Sequence, residues 1–168
     1  TDKLSLVSSS IVDGDGASRV AECLDSKIFD IESFGIRPAE LCDSDFTYSL
    51  QTIEVRKYSV NTEVPSIEQH SNWFQNKFNS PNSLIFILVF EAVNVGILRV
   101  DRLNTNELEI SIIISSSYRG RGFAEKALTK LESLVLNKKL KAIIHNENIA
   151  SKKAFIRSGF KLHKQYGD

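Results

Sequence analysis

The sequence feature that most constrains the fold lies between Leu108 and Leu128, where an apolar run turns through a glycine-containing loop into a helical pattern. The apolar run is rich in isoleucine (Ile110, Ile112–Ile114), which is typical of a buried strand. A loop of sequence Arg119-Gly120-Arg121-Gly122-Phe123-Ala124 follows, and the helical pattern begins near Arg121. The chain is therefore expected to be an α/β protein in which a strand, a tight loop and a helix follow each other directly.

This loop has the composition of a phosphate-binding turn. The first turn of a helix leaves backbone N–H groups without internal partners, and the helix dipole places partial positive charge there. Gly120, Gly122 and Ala124 leave room for an anion to reach those N–H groups, while Arg119 and Arg121 add full positive charge. The alternative is an ordinary turn with solvated basic residues. Neither a P-loop nor a dinucleotide fingerprint fits, because the lysine–serine pair of the first and the third glycine of the second are missing here.

Composition and charge limit the possible function classes. The chain has 168 residues, enough for one domain with a real core, and carries 21 basic against 21 acidic residues. Residues 119–141 hold seven of the basic residues against two glutamates. A local basic field on a neutral protein favours one small polyanion over a nucleic-acid duplex, so no nucleic-acid partner is expected.

The two cysteines, Cys23 and Cys42, support neither a disulfide framework nor a metal site, which favours a reducing, cytoplasmic location. No apolar run approaches the roughly 18 residues of a membrane span, so no membrane association is expected. The chain begins at Thr1 and contains no methionine, so we expect a fragment of a longer protein.

The chain divides into an N-terminal appendage, residues 1–33, and a folded domain, residues 34–168. Within the appendage, Leu4–Val7 is predicted to be a short strand and residues 17–24 a helix. The Asp13-Gly14-Asp15-Gly16 segment between them is interpreted as a turn, because a calcium loop would need a closing glutamate at a fixed spacing.

From Phe34 the pattern alternates between strands and helices. A short strand at residues 34–37 precedes a helix through about Ile53, and Ser66 and Gln69 form a capping box at the start of a second helix. That second helix carries an apolar stripe, on which Trp73 and Phe74 are interpreted as core and His70 as a packed histidine. The remaining predicted elements are strands at 84–90, 95–100 and 108–114, the helix after the glycine loop, a strand at 141–145, a helix at 149–157 and a strand at 160–164.

This order of elements resembles the GNAT superfamily of acyl-CoA N-acyltransferases. The family motif Arg/Gln-x-x-Gly-x-Gly/Ala is matched by Arg119, Gly122 and Ala124. A second motif, an asparagine followed by Gly-Phe after ten residues, is matched by Asn148 and the Gly159-Phe160 pair. The resemblance implies a mixed central sheet whose fourth and fifth strands splay apart, with helices on both sides. Because the chain ends soon after the last predicted strand, the usual seventh strand is expected to be missing.

The resemblance further implies acetyl-coenzyme A as the cofactor. Its pyrophosphate would bind the backbone N–H groups of residues 121–124, and its pantetheine arm would lie between strands 109–114 and 141–145. A backbone N–H near Ile112 or Ile113 would stabilise the oxyanion. The residues expected to contact the cofactor are Ile112, Ile113, Ile114, Arg119, Arg121, Gly122, Phe123, Ala124, Asn148 and Ser151.

Glu109 is the first candidate for the general base, since family members often place a glutamate ten residues before the loop arginine. His145, at the end of the opposite strand, is the second candidate. Many members use a tyrosine four residues before the Gly-Phe pair as the acid, but this chain has Phe155 there. Either Tyr118 or water is then expected to protonate the thiolate, unless the thiolate leaves unassisted.

The acceptor is expected to be a small-molecule primary amine. Residues 55–58 and 70–74 are similar to a branch that includes nucleotide-sugar 4-amino acetyltransferases of nonulosonic acid pathways and ribosomal-protein N-terminal acetyltransferases. Residues 11–20 resemble the C-terminal end of the UDP-sugar hydrolases of the same pathways, which favours a nucleotide amino sugar used in surface polysaccharide or glycan biosynthesis. A protein N-terminus as acceptor, and a non-catalytic acyl-CoA-binding module, are the alternatives. The sequence leaves open whether the protein is a monomer or a homodimer.

Overall fold

The computed structural model of the protein describes residues 3–7, 34–135 and 137–166. The strands are β1 (Lys3–Val7), β2 (Phe34–Pro38), β3 (Ser83–Phe90), β4 (Val93–Arg102), β5 (Glu107–Ile114), β6 (Lys139–His145) and β7 (Lys161–Tyr166). The α-helices are α1 (Ser44–Ser49), α2 (Ile53–Arg56), α3 (Ile67–Phe78), α4 (Phe123–Leu134) and α5 (Ile149–Arg157). The turn predicted at residues 13–16 and the helix predicted at 17–24 lie outside the described residues.

The strands form one mixed sheet in the order β2-β3-β4-β5-β6-β1-β7. All neighbouring strands are antiparallel except β5 and β6, which are parallel. The β3–β4 hairpin turns through Glu91 and Ala92, which both have positive φ angles of 49° and 61°. The predicted α/β class and mixed sheet are therefore confirmed.

The sheet has seven strands although no strand follows β7 in the described chain. The place between β6 and β7 is taken by β1, which pairs antiparallel with both neighbours. This corrects the expectation that the sheet lacks its seventh strand, because β1, from the N-terminal end of the chain, supplies it. The strand predicted at Leu4–Val7 is present, while the division of the chain at residue 33 stays a prediction.

Strands β5 and β6 separate after a short paired segment. Their pairing covers only the registers from Glu107–Lys139 to Glu109–Lys141. Beyond Glu109, β5 continues to Ile114 and β6 continues to His145 without further pairing between them. The sheet therefore splays at its centre and opens a slot between the two strands, as the sequence predicts.

Two hydrophobic cores cover the two faces of the sheet. On one face, α4 packs Phe123, Leu128 and Leu131 against residues that include Leu98 and Ile110. On the opposite face, which we call the α3 face, Phe74 packs against residues that include Ile87 and Ile97. The sheet between these cores therefore carries the slot at its centre, with a packed core on each face.

Two helix boundaries differ from those predicted. The first helix ends at Ser49, and the short helix α2 follows it. Helix α4 begins at Phe123 rather than near Arg121, because Gly122 has a φ angle of 75° and lies in the left-handed region that ends helical geometry. Among the described residues, no helix is long and apolar enough to cross a membrane, and no cluster of His, Cys, Asp and Glu has the arrangement needed for a metal ion.

Candidate active site

The slot opens into a cleft of about 560 Å³ that reaches the α3 face of the sheet. The walls of the cleft are β4, β5 and β6, helices α2, α3 and α5, and the loop that joins α2 to α3. It brings together six of the residues predicted from sequence, namely Glu109, Ile112, Ile113, His145, Asn148 and Ser151. The glycine loop and Tyr118 do not line this cleft.

The glycine loop forms an open cradle at the start of α4. Gly120 and Gly122 have φ angles of 76° and 75°, and a Cβ built on either would meet no atom within 4 Å. Gly122 is the N-cap residue, and among the described residues no side chain caps the first-turn N–H groups of α4. These donors have no intrahelical partner, and together with the open surroundings of the two glycines they fit the pyrophosphate that the sequence predicts here.

The basic side chains of the loop have structural partners. The Nε of Arg119 donates a hydrogen bond of 3.1 Å to the backbone oxygen of Ile114, which ties the loop to the end of β5. The guanidinium of Arg121 lies 5.2 Å from the ring centre of Tyr118, and the Tyr118 ring lies 6.3 Å from that of Phe123. Tyr118 thus packs beside the loop, outside the cleft where a leaving thiolate would need a proton.

The hydrogen-bond pattern of β5 shows which N–H groups point into the slot. The N–H of Ser115 donates to the backbone oxygen of Val95 on β4, at 2.9 Å. In an antiparallel pair, the backbone N–H groups of successive residues point alternately toward the partner strand and away from it. The N–H of Ile113 therefore points toward β4, while those of Ile112 and Ile114 point toward the slot. The two N–H groups that the sequence leaves as alternatives are thus distinguished, and Ile112 is the one that faces the slot.

Glu109 lies where the two strands begin to separate. Its neighbours in register are Asp101 on β4 and Lys141 on β6. The ammonium of Lys141 lies 2.7 Å from the carboxylate of Glu107 instead. No ion pair or hydrogen bond within the described part of the chain engages the Glu109 carboxylate, so it is available to a ligand in the cleft.

His145 and Tyr58 meet at the far end of the slot. Their ring centres are 5.7 Å apart. The Nδ1 of His145 accepts a hydrogen bond of 3.3 Å from the N–H of Glu147, which leaves Nε2 as the nitrogen that can exchange a proton with a ligand. Tyr58, which the sequence does not single out as a proton donor, lines the cleft, whereas Tyr118 does not.

Asn148 and Ser151 form the N-terminal cap of α5. The side-chain oxygen of Asn148 accepts a hydrogen bond of 3.2 Å from the N–H of Ser151. Both residues also line the cleft. The asparagine of the second family motif therefore fixes the start of the helix that forms this wall. Phe155, on the same helix, is 2% exposed and packs edge-on against Phe160, so it contributes apolar surface and no proton.

His70 is a packed histidine, as predicted, although it also forms part of the cleft wall. It is 3% exposed, and its Nε2 lies 3.0 Å from the hydroxyl of Thr47. The hydroxyl of Thr47 donates to the backbone oxygen of Ser44, so Nε2–H of His70 is the donor to Thr47. Burial lowers the pKa of His70, and the positive charge of Arg56 lowers it further.

Two arginines in the cleft were not identified as site residues from the sequence. Arg56, at the end of α2, and Arg99, in the middle of β4, both line the cleft. Arg99 carried a signal that could have been used, because it is the only charged residue between Val93 and Val100 in a strand predicted to be buried. A charged side chain at such a position needs a partner or a ligand. Arg56 carried no comparable signal.

Comparison with known proteins gives a consistent family assignment. Residues 34–161 match the family model described as an acetyltransferase (GNAT) domain. No curated protein sequence matches the chain. The structure resembles that of spermidine N-acetyltransferase from Vibrio cholerae in complex with CoA and spermine, with a TM-score of 0.68 and 18% identity over 78% of this chain and 82% of that one.

Two further solved structures illustrate the range of similar proteins. The aminoglycoside acetyltransferase AAC(6')-Ib in complex with coenzyme A has a TM-score of 0.66 and 14% identity, covering 77% of this chain and 84% of that one. A domain from Methanocaldococcus jannaschii has a TM-score of 0.63 and 26% identity, covering 79% of this chain and 90% of that one. At these identities the likeness supports the fold, and the family model supports the assignment.

Proposed function

Because this chain belongs to the GNAT family of acetyltransferases, it is an acetyl-CoA-dependent N-acetyltransferase, and we propose that it acetylates the 4-amino group of a UDP-linked amino sugar. The observation that carries the site assignment is the slot, which begins at Glu109 and has the Ile112 N–H on one side. A free carboxylate and an inward-facing N–H at one opening are the two groups that acetyl transfer to an amine requires.

The proposed reaction assigns roles to the glycine-loop cradle, Glu109, Ile112 and His145. Acetyl-CoA supplies an activated thioester, and the cradle at residues 120–124 binds its pyrophosphate. Glu109 accepts a proton from the acceptor ammonium, directly or through water, so that the free amine can form the new C–N bond. The N–H of Ile112 donates to the oxygen that becomes negative, and the C–S bond then breaks. The nitrogen gives up its second proton as the amide forms, and His145, with Tyr58 beside it, delivers a proton to the sulfur.

The nucleotide part of the proposal is supported by the lining of the cleft. Tyr58 and Trp73 provide aromatic surface on which a base or a sugar ring can pack. Spermine and kanamycin, which are bound in similar acetyltransferases, are polycations. The cleft of this chain carries Arg56 and Arg99, which suit an acceptor with an anionic group. A protein N-terminus as acceptor would be favoured by an acidic groove, which the described walls of this cleft do not form.

A thiol-release assay with acetyl-CoA tests the proposal. The acceptors are a UDP-4-amino-4,6-dideoxy sugar, a set of N-terminal peptides and spermine, each at equal concentration. We expect release of free coenzyme A with the nucleotide sugar at a higher kcat/KM than with the other two. Faster turnover of peptides or spermine would contradict the proposed acceptor, and tight coenzyme A binding without release for any amine would indicate a binding module.

A further inference from the structure

Arg56 is a cation that no acidic group neutralises within the described residues. Its Nε donates 2.9 Å to the backbone oxygen of Glu63, and one terminal nitrogen lies 3.4 Å from the side-chain oxygen of Gln51. Both acceptors are neutral. They hold the guanidinium at the cleft wall and leave its full charge uncompensated, and this charge contributes to the lowered pKa of neighbouring His70.

Arg99 is a second cation on the same face of the sheet. Its Nε lies 2.8 Å from a carboxylate oxygen of Asp101, close enough for an ion pair but not aligned as a hydrogen bond. Asp101 is shared, because it also accepts hydrogen bonds from Lys77 and Ser83. The guanidinium stacks on Trp73, 5.5 Å from the ring, and its two terminal nitrogens have no hydrogen-bond partner among the described residues.

The balance of charge in the cleft is positive. Among the described residues that line it, Glu109 is the only carboxylate, against the two guanidinium groups of Arg56 and Arg99. Arg99 is 24% exposed at its side chain, and its buried Nε has no aligned hydrogen-bond acceptor among the described residues. Leaving N–H donors without a hydrogen-bond acceptor in a partly buried place costs free energy. An anion bound in the cleft supplies the acceptor.

We propose that Arg56 and Arg99, here called the arginine pair, bind an anionic group of the acceptor, and that this group is the diphosphate of the nucleotide sugar. Guanidinium groups match phosphate oxygens through paired N–H donors, which explains two arginines rather than lysines at this place. The inference rests on the proposed function, because the amine and the diphosphate belong to one acceptor molecule. The arginine pair then selects the acceptor, while Glu109 acts on its amine.

Direct binding tests the arginine pair without requiring turnover. The full chain is first saturated with coenzyme A, so that the cradle at residues 120–124 is filled, and is then titrated with UDP, with inorganic pyrophosphate and with uridine. We expect UDP and pyrophosphate to bind and uridine to bind much more weakly. Arg56→Gln and Arg99→Gln should each weaken UDP binding about 10- to 100-fold.

Matched variants separate recognition of phosphate from general charge and from misfolding. Lys57→Gln removes one positive charge next to Arg56 from a side chain that does not line the cleft, and it should bind UDP as the wild type does. Arg99→Lys keeps the charge beside Asp101 but loses the planar donor edge, so we expect it to bind UDP less well than wild type. UDP binding unchanged in both glutamine variants, or equally lost in Lys57→Gln, would overturn the proposal.

Steady-state kinetics give the second, separable readout. The acceptors compared are the UDP-4-amino sugar and its methyl glycoside, which keeps the amine and lacks the diphosphate. Arg56→Gln should raise KM for the nucleotide sugar about 10-fold or more and change the kinetics of the methyl glycoside by less than about twofold. Equal losses on both acceptors would refute anion recognition. If neither acceptor is acetylated, the proposed function fails, and the UDP titration still decides whether the arginine pair binds a diphosphate.

Discussion

At the residue scale, the assignment of a general base depends on one carboxylate that has no partner among residues 3–7, 34–135 and 137–166. Glu109 and Glu107 lie two positions apart on β5, yet Lys141 bridges to Glu107 and leaves Glu109 free. Sequence spacing identifies Glu109 as a candidate. Only the positions of the lysine side chains on β6 show which of the two glutamates faces the cleft without a partner.

The change Glu109→Gln should lower kcat by at least about 100-fold at neutral pH, since a general base contributes on that order. The loss should be largest at acidic pH, where unprotonated amine is scarce, so the variant's rate should rise steeply with pH. Glu107→Gln is the matched control and should retain turnover, because Glu107 pairs with Lys139, Lys141 and Asn104 and does not line the cleft. A wild-type pH profile for Glu109→Gln would eliminate Glu109 as the base.

Buried His70 makes the stability of the protein depend on pH. Burial lowers its pKa below the ordinary value of 6.5, so below that pH the unfolded state binds more protons than the folded state. The free energy of unfolding should therefore fall as the pH decreases from about 7.5 to about 5.5. Denaturant unfolding across this range measures the slope. His70→Gln should flatten it, and an unchanged slope in this variant would show that other groups are responsible.

At the element scale, the start of α4 is where local sequence and structure agree best. Gly122 takes a left-handed conformation that an L-residue adopts only with strain, and this ends the loop and begins the helix. The same residue leaves the first-turn N–H groups uncovered. One glycine therefore sets both the boundary of the helix and the opening of the cradle.

The change Gly122→Glu should weaken coenzyme A binding by more than about 100-fold, because it places a carboxylate in the phosphate cradle. Gly159→Glu is the matched control, since Gly159 has a similar φ angle of 88° and equally open surroundings but follows α5. Both variants should lose about 1 kcal/mol of stability from backbone strain. Calorimetric titration with coenzyme A distinguishes them, and equal affinities would refute the phosphate assignment.

At the scale of the whole molecule, the far side of the sheet depends on the first residues of the chain. Strand β1 joins β6 to β7, and each pairs with it across five registers. Since β6 is one wall of the slot, β1 supports that wall from behind. The N-terminal segment is therefore part of the architecture that holds the cleft open.

The change Leu6→Pro should lower the free energy of unfolding by about 1–3 kcal/mol, because it removes a backbone donor between Ala142 and Leu162. Thermal unfolding measures the loss, and amide hydrogen exchange should show reduced protection in β7. Leu6→Val, which keeps the backbone donor and suits a strand, should retain the wild-type midpoint. Identical midpoints for the proline and valine variants would show that β1 does not support the sheet.

The sequence by itself determined the features whose chemistry is local. The glycine loop, the capping box at Ser66 and the cap at Asn148 follow from residues a few positions apart, since backbone conformation and capping depend on near neighbours. The splay between β5 and β6 was also predictable, because the order of elements carries the family resemblance. These features form the predicted cofactor side of the cleft.

Only the tertiary structure decided which residues surround the acceptor and what completes the sheet. Arg56 and Arg99 are 43 positions apart in the sequence and line the same cleft, one from the end of α2 and the other from the middle of β4. Strand β1 reaches a place between the last two strands, which no local pattern specifies. Contacts between distant segments depend on how the layers pack, so the acceptor side of the cleft could not be derived from the sequence, whereas the loops and caps of the predicted cofactor side depend on residues close together in the chain.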